Sequence, residues 1–512
     1  MGRRLRPRRL LPRPTVPLPP LHRARAALAL WLACLGAAAL AAHAGAPPST
    51  VALATAAGFF PYALLAVAER GPGPRLVLAA TLLAGLPLAF APGALSDDLY
   101  RYLWDARVAA SGVDPYLYAP SAPELAPLRD AVWARVNNPD VPTIYPPVAQ
   151  AIFRGAALLA HAPWSMKLVA FAAHLGVGFA LRRVVDPARR DRAALLWWLN
   201  PLALEESALG GHVDVFVGLA VLAFVAALRA GRVLPAVLLA GLASGVKLVG
   251  LALAPLVGGR ARRAVPFALA LATLPVWPLV GAGAGSDAVG GLGQYARRWR
   301  GNEGLYALVE TGVGRALQAQ AGVAEGRVRF ESWRPALERL EGTTLDPRAS
   351  FLPEKKPIWD IAEFETHVLA ALIARALVVF AVFALAALLA WRRAPPLEAA
   401  RAVLLVGLLF APQVHPWYLL WLLPLEIALG RVTVLAWSAV SLIAYAPLDG
   451  WVAAREWVEP GAAPLLQYGL VLGVLAAEEA LRWRARSART PRQSESESRE
   501  SLPPAPLRDL AP

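Results

Sequence analysis

Apolar blocks recur along this chain. Most are roughly 17–25 residues long, the length of helix that crosses a bilayer core, and this limits what the chain can fold into. They fall near 26–45, 49–68, 74–92, 164–182, 193–206, 212–229, 265–283, 366–391, 399–412, 416–430, 432–447 and 464–482. Of the 512 residues 57% are hydrophobic and 17% charged, which excludes a soluble globular protein. The reading is an all-α polytopic membrane protein. Residues 148–162, which carry Arg154, read as a short span or as a segment that enters and returns. Residues 233–257 hold Ser244, Gly245 and Lys247 in their middle, so they read as one long span or two broken ones. The expected bundle therefore has about 12–14 helices.

A formal charge of +15 raises the question of nucleic acid. The basic residues lie in the tails and in short loops between apolar blocks, as the positive-inside rule expects, and no basic patch is interleaved with stacking aromatics. Nucleic acid is set aside. Residues 1–25, with eight arginines, read as a cytoplasmic basic tail. The block at 26–45 ends in small residues, as a cleaved signal peptide would, but its length and the spans that follow favour an uncleaved first helix. The membrane domain is expected over 26–482, with long outer loops at 93–147 and 284–365, and 483–512 as a disordered cytoplasmic tail. Loop 182–192 carries five arginines and should be inside. That holds together with an outer 93–147 only if 148–162 dips into the membrane and returns. The single cysteine, Cys34, permits neither an internal disulfide nor a thiolate metal cage.

Three constellations could carry chemistry. The first outer loop opens Ser96-Asp97-Asp98-Leu99-Tyr100-Arg101-Tyr102-Leu103-Trp104-Asp105, where helical spacing puts Asp98, Tyr102 and Asp105 on one face. Acids after an N-capping Ser96 also suit a helix dipole with no chemistry at all. The functional alternative is a carboxylate that takes a proton from an acceptor hydroxyl. The loop's 55 residues are long for a connector, and its Pro and aromatic content suggests short interfacial helices. Next, Asn200-Pro201 should break a helix and gather Glu205, Glu206, His212 and Asp214 at the outer mouth of a helix pair. Helix-end charge is the plain explanation; four ionisable groups at membrane depth argue for more. The third is Gln413-Val414-His415-Pro416-Trp417-Tyr418, where His415 is either an interfacial anchor or a site group. Lys247 could neutralise a lipid phosphate or simply snorkel to the interface. No metal-ligand spacing is present. All these clusters fall on the same expected side, as a single extracytoplasmic site would require.

In order along the chain, SDDLYRYLWDARVAASGVDPY (96–116), PTIYPPVAQAIF (142–153), NPLALEESALGGHVD (200–214), GLASGVK (241–247), GLGQYARRWRGNEGLY (291–306) and HPWYLLWLLP (415–424) resemble the GT-C superfamily of membrane glycosyltransferases. The likeness is nearest to polyprenyl-phosphate-mannose-dependent mannosyltransferases and glycosyltransferase family 87. The resemblance implies a GT-C-like bundle and an inverting transfer of a sugar, mannose above others, from a polyprenyl-phosphate donor. The acceptor would be a hydroxyl of a glycan or glycolipid outside the cytoplasmic membrane. It implies a catalytic base at Asp97 or Asp98, without choosing, and substrate-binding roles for Asp105, Glu205, Glu206, His212, Asp214, Lys247 and His415. No cofactor is implied, and a divalent cation is left open. Two features depart from the family pattern: three spans precede the loop where one is common, and the charged stretch 316–363 looks like an insertion. The rival reading is a lipid-linked sugar flippase, which should show repeats and charges near the midplane between broken helices.

Overall fold

A computed structural model describes residues 21–92, 95–259, 261–264, 266, 300–319, 323–324, 327–329, 335, 338–339, 363–454 and 456–487. The expected basic tail up to residue 20, the span at 265–283, most of the outer segment 284–365 and the tail beyond 487 lie outside the described residues.

The described chain is built from helices α1 (Leu21–His43), α2 (Pro48–Ala57), α3 (Phe59–Val67), α4 (Pro74–Phe90), α5 (Asp98–Ala110), α6 (Pro147–Leu159), α7 (Pro163–Val184), α8 (Arg190–Trp198) and α9 (Pro201–Leu204). They continue with α10 (Asp214–Arg229), α11 (Val233–Val246), α12 (Tyr306–Gln318), α13 (Thr366–Trp391), α14 (Pro396–Leu409), α15 (Leu423–Leu429), α16 (Thr433–Val440), α17 (Leu448–Ala454) and α18 (Ala463–Ser487). Among the described residues five stretches are long and apolar enough to cross a membrane: His22–His43, Pro48–Val67, Pro163–Val184, Leu369–Trp391 and Ala463–Ala485. Four shorter apolar helices join them. The protein is an all-α polytopic membrane protein, with one minor addition. Three short strands, β1 (Val323–Ala324), β2 (Arg327–Arg329) and β3 (Glu363–Glu365), form a small antiparallel sheet in the order β1-β2-β3. All three fall in or beside the charged stretch that looked like an insertion.

A single apolar cluster runs from Trp31 and Leu35 of α1 through Trp197 and Trp198 of α8 to Trp437 of α16. Outside it, Leu377, Val379, Phe380 and Phe383 of α13 stay uncovered, as a lipid-facing helix requires.

Several expected spans are broken, and the breaks position the site. Leu199 ends α8, and the Asn200 side chain caps the restarted helix by accepting from Ala203 N at 3.0 Å. A π-helical turn then covers Glu205–Leu209. The 233–257 segment is two pieces: α11 stops at Val246, and a 3-10 helix, Leu248–Val257, packs back along it, leaving Lys247 at the turn. Helix α6, at 13 residues, rises about 20 Å and is too short to cross the bilayer. It packs against α5 and α7, so α7 starts from the end of the bundle where the 95–147 loop sits. A helix this short, followed at once by α7, fits the return that the arginine pattern asks for. Helix α18 runs on to Ser487, past the expected end of its apolar block.

Candidate active site

Helix α5 starts one residue later than the serine cap suggests. Asp97 occupies the cap position, and Ser96 Oγ accepts from Asp98 N at 3.2 Å. One face of α5 packs on the loop's own small core, Tyr100, Trp104 and Val108 with Leu125 and Val136. The guanidinium of Arg135 lies 4.0 Å from the centre of the Tyr100 ring. The opposite face meets the membrane bundle. Asp97 and Asp98 are both half-buried, but Asp98 is the one held toward the bundle. Its Oδ1 accepts from Asn137 Nδ2 at 2.9 Å and its Oδ2 from the Tyr145 hydroxyl at 3.1 Å. Burial opposes its charge, but His212, Lys247 and the Asn137 amide outweigh that cost. Its carboxyl is held below the ordinary carboxylate value and stays ionised at neutral pH.

From Tyr145 the cluster extends inward. Lys247 Nζ sits 5.4 Å from the Tyr145 ring centre and 5.2 Å from that of Tyr418, and 3.7 Å from Asp214 Oδ2. Trp421 Nε1 donates to Asp214 Oδ1 at 2.7 Å. His212 Nε2 lies 3.4 Å from Glu206 Oε2, and the Tyr445 hydroxyl donates to Glu206 Oε1. The indole of Trp417 is stacked between two imidazoles, His212 at 4.0 Å and His415 at 4.2 Å. Gln413 Nε2 is 2.6 Å from His415 Nε2, and because an amide nitrogen only donates, the ring nitrogen accepts.

Close backbone approaches make this packing work. A Cβ on Gly210 would lie 2.5 Å from the His212 ring, and Gly211 adopts φ +67°, so the Gly-Gly pair lets the chain turn tightly beneath His212. The 415 loop is pinned from outside: Gly301 bridges Gln413, Asn302 Nδ2 donates to Val414 O at 3.0 Å, and the Tyr468 hydroxyl donates to Asn302 O at 2.9 Å. Part of the 291–306 block thus holds another block in place.

Six of the nine candidate residues meet in this arrangement: Asp98, Glu206, His212, Asp214, Lys247 and His415. Three take other places. Asp97 stands beside the loop core near Tyr100. Glu205 turns toward Thr55 of α2, and neither of its buried oxygens has a hydrogen-bond partner among the described residues. Asp105 is 1% exposed and fully engaged: it accepts from Arg101 Nε at 2.8 Å, Thr143 Oγ1 at 2.5 Å and Gln150 Nε2 at 3.0 Å. That network ties α5 to the start of α6 and leaves Asp105 little capacity for a ligand. Asn137, Tyr145, Gln413, Trp417, Trp421 and Tyr445 belong to the cluster but were not singled out as site residues from the sequence. Among the described residues no three of His, Cys, Asp or Glu converge into a group that could hold a metal ion.

An ionised, half-buried carboxylate, a lysine at the turn between two apolar helices and a wall of stacked rings suit proton abstraction beside an anionic ligand. Residues 31–263 match the MptA_B family model, alpha-(1->6)-mannopyranosyltransferase, N-terminal domain. The resemblance to GT-C mannosyltransferases stands on this match. It covers the first outer loop, the Asn200 break, His212, Asp214 and Lys247, and it supports a membrane glycosyltransferase of mannosyl type. No curated protein and no solved structure matches the chain.

Proposed function

We propose that this protein is an inverting glycosyltransferase of the inner membrane. It would move a sugar, mannose by the family likeness, from a polyprenyl-phosphate carrier to a glycan or glycolipid hydroxyl on the extracytoplasmic side. The observation that carries the reading is Asp98, an ionised carboxylate held by Asn137 and Tyr145 within the field of Lys247. Asp98 accepts the proton of the acceptor hydroxyl, the freed oxygen bonds to the sugar's anomeric carbon, and the bond from that carbon to the phosphate oxygen breaks. The lipid phosphate leaves with its electron pair. Lys247, beside Asp214 and two aromatic rings, is the cation suited to hold that phosphate. The arginine pattern and the short α6 support an outer site.

The test is turnover by purified protein in lipid, with lipid-linked mannose, other lipid-linked hexoses and nucleotide sugars offered separately, with and without a chelator. Glycoside formed from the lipid-linked donor alone is expected. Turnover with a nucleotide sugar and no polyprenyl carrier would defeat the reading. Sidedness has its own test: Ser111→Cys in a Cys34→Ala background should react with an impermeant thiol reagent from outside intact cells. Labelling only after permeabilisation would reverse the orientation.

One observation favours a second reading. His212, Asp214 and Lys247 stand where helices break, and broken helices build the substrate sites of secondary transporters. Vesicles in which the protein moves lipid-linked sugar between leaflets, with no glycosidic bond formed, would establish a flippase instead.

A further inference from the structure

At the end of the bundle that the arginine pattern expects inside, a cavity of about 370 Å³ lies among the last turns of α7, α10 and α15, the first turn of α14 and the far part of α18. It has the size of a small-molecule pocket. Three guanidiniums line it, Arg189, Arg229 and Arg482, together with two carboxylates, Asp186 and Glu398. Arginines at such an end need no ligand, because cytoplasmic ends of spans collect them. Three observations set this group apart. Neighbouring arginines are matched, Arg182 with Asp191 at 2.8 Å and Arg431 with Glu479. Arg189 and Arg229 form no ion pair among the described residues, and Arg482 comes no nearer than 3.8 Å to Glu478. Next, the unmatched charges are held in place. Arg189 donates to the carbonyls of Ala428 and Ile427 at 3.0 and 3.1 Å, and a Cβ on Gly430 would lie 2.8 Å from its Nη2. Arg229 donates to Val184 O at 3.1 Å. Each guanidinium keeps donors to spare. Finally, Trp483 beside Arg482 and Trp391 at the end of α13, just ahead of Pro395 in the cavity wall, are 69% and 80% exposed. Exposed tryptophans at the ends of spans mark head-group level.

We infer that this cavity binds the head group of an anionic glycerophospholipid, with its phosphodiester among the three guanidiniums and its hydroxyls on Asp186 and Glu398. Basic pockets between helix ends suit such head groups. Three cations against two acids leave one positive charge, the amount that one phosphodiester neutralises. The two carboxylates would repel a bare phosphate dianion, but they accept from head-group hydroxyls. Phosphatidylglycerol has this chemistry. Helix α10 runs from the cavity to Asp214, and α14 runs from it toward the loop that carries His415. A bound head group therefore braces helices that build the site without touching the reacting groups. The inference does not depend on the transferase reading.

The experiment uses full-length protein stripped of lipid in detergent, with bound lipid counted by native mass spectrometry. Phosphatidylglycerol should be retained about tenfold more tightly than phosphatidylcholine, which shares the phosphodiester but has no net charge and no head-group hydroxyl. Arg229→Gln with Arg482→Gln should weaken phosphatidylglycerol by about tenfold and leave phosphatidylcholine unchanged. Arg229 is exposed and Arg482 half-buried, so this variant should fold. Asp186→Asn with Glu398→Gln should abolish the preference for phosphatidylglycerol over phosphatidic acid, whose phosphate carries no hydroxylated head group. A photoreactive phosphatidylglycerol reads the cavity with no substitution at all: adducts should map to residues 184–189, 395–398 and 428–429. Phosphatidylcholine or phosphatidylethanolamine held as tightly as phosphatidylglycerol would overturn the inference, as would adducts spread over the lipid-facing helices. Displacement of the lipid by millimolar inorganic phosphate would mark a site for a soluble anion and overturn it too.

Discussion

Asp98 and Asp105 lie two turns apart on α5, and their surroundings predict opposite consequences when each is replaced. The Asp105 side chain is 2% exposed and its partner Arg101 7%. Asp105→Ala removes an ion pair and two further hydrogen bonds, and leaves the Arg101 guanidinium buried without its counter-charge. Breaking a buried pair in this way costs about 3–5 kcal/mol. The loss falls on the contact between α5 and the Thr143–Gln150 segment, so it should appear as local opening of the loop. Amide hydrogen exchange in α5 should therefore quicken by about two to four orders of magnitude. Asp98→Asn keeps the shape, and its two hydrogen-bond partners are neutral groups, so stability should change by about 1 kcal/mol or less. An amide cannot take the acceptor proton, however, and turnover should fall by about two to four orders of magnitude. Exchange in α5 should stay as in the unmodified protein. Asp97→Asn should cost far less activity. The reasoning is refuted if Asp105→Ala leaves α5 protected, or if Asp98→Asn turns over lipid-linked donor near normally. The second result would move the search for a base to Glu206 and Asp214.

Because the Asp98 carboxyl is held below its ordinary value near 3.8, its charged form and the stability it brings are present above that range. Both are lost only as pH falls through the lowered value, so the acid limb of kcat/KM from this group should lie below about pH 4. An acid limb near pH 6 that Asp98→Asn removes would contradict the assignment. Lys247→Met should raise KM for the lipid-linked donor by about tenfold or more, and Lys247→Arg should recover much of it. Equal donor affinity in both variants would remove Lys247 from phosphate binding. Tyr145→Phe deletes the hydroxyl that donates to Asp98. Turnover should drop by about three- to tenfold, and the Asp98 acid limb should move upward because one donor to the carboxylate is gone. An unmoved limb would mean that Tyr145 does not hold Asp98.

Much of the architecture was legible because bilayer physics writes itself into composition: apolar runs for helices, Asn-Pro for a break. The turn at Lys247 was readable only as an ambiguity. A charge between two apolar halves fits a snorkelling residue in one span as well as a hairpin tip, and only packing of the Leu248–Val257 helix back on α11 decides. In the site, ionisable residues stood out because they are expensive at that depth. Tyr145, Trp417, Trp421 and Tyr445 did not, since aromatic residues near a membrane surface usually mean an interfacial belt. Their roles come from long-range partners: Tyr145 meets Asp98 across 47 residues and Tyr445 meets Glu206 across 239. Asp105 shows the converse. Its helical register with Asp98 was read correctly, but Thr143 and Gln150, which claim it, approach from the far end of the loop.

The shortness of α11 bears on how a lipid reaches the chemistry. Fourteen residues rise about 21 Å, against about 30 Å of hydrocarbon core. If α11 starts at the cytoplasmic surface, as the arginine pattern expects, the ammonium of Lys247 at its far end would lie below the plane in which lipid phosphates normally float. Lifting a greasy chain toward a reactive group in water would cost about 0.8 kcal/mol for each methylene exposed. For the lipid-linked donor proposed above, a cation at that depth would reverse the direction of travel: the head group would descend a few ångströms into a polar dimple, and the tail would stay in oil throughout.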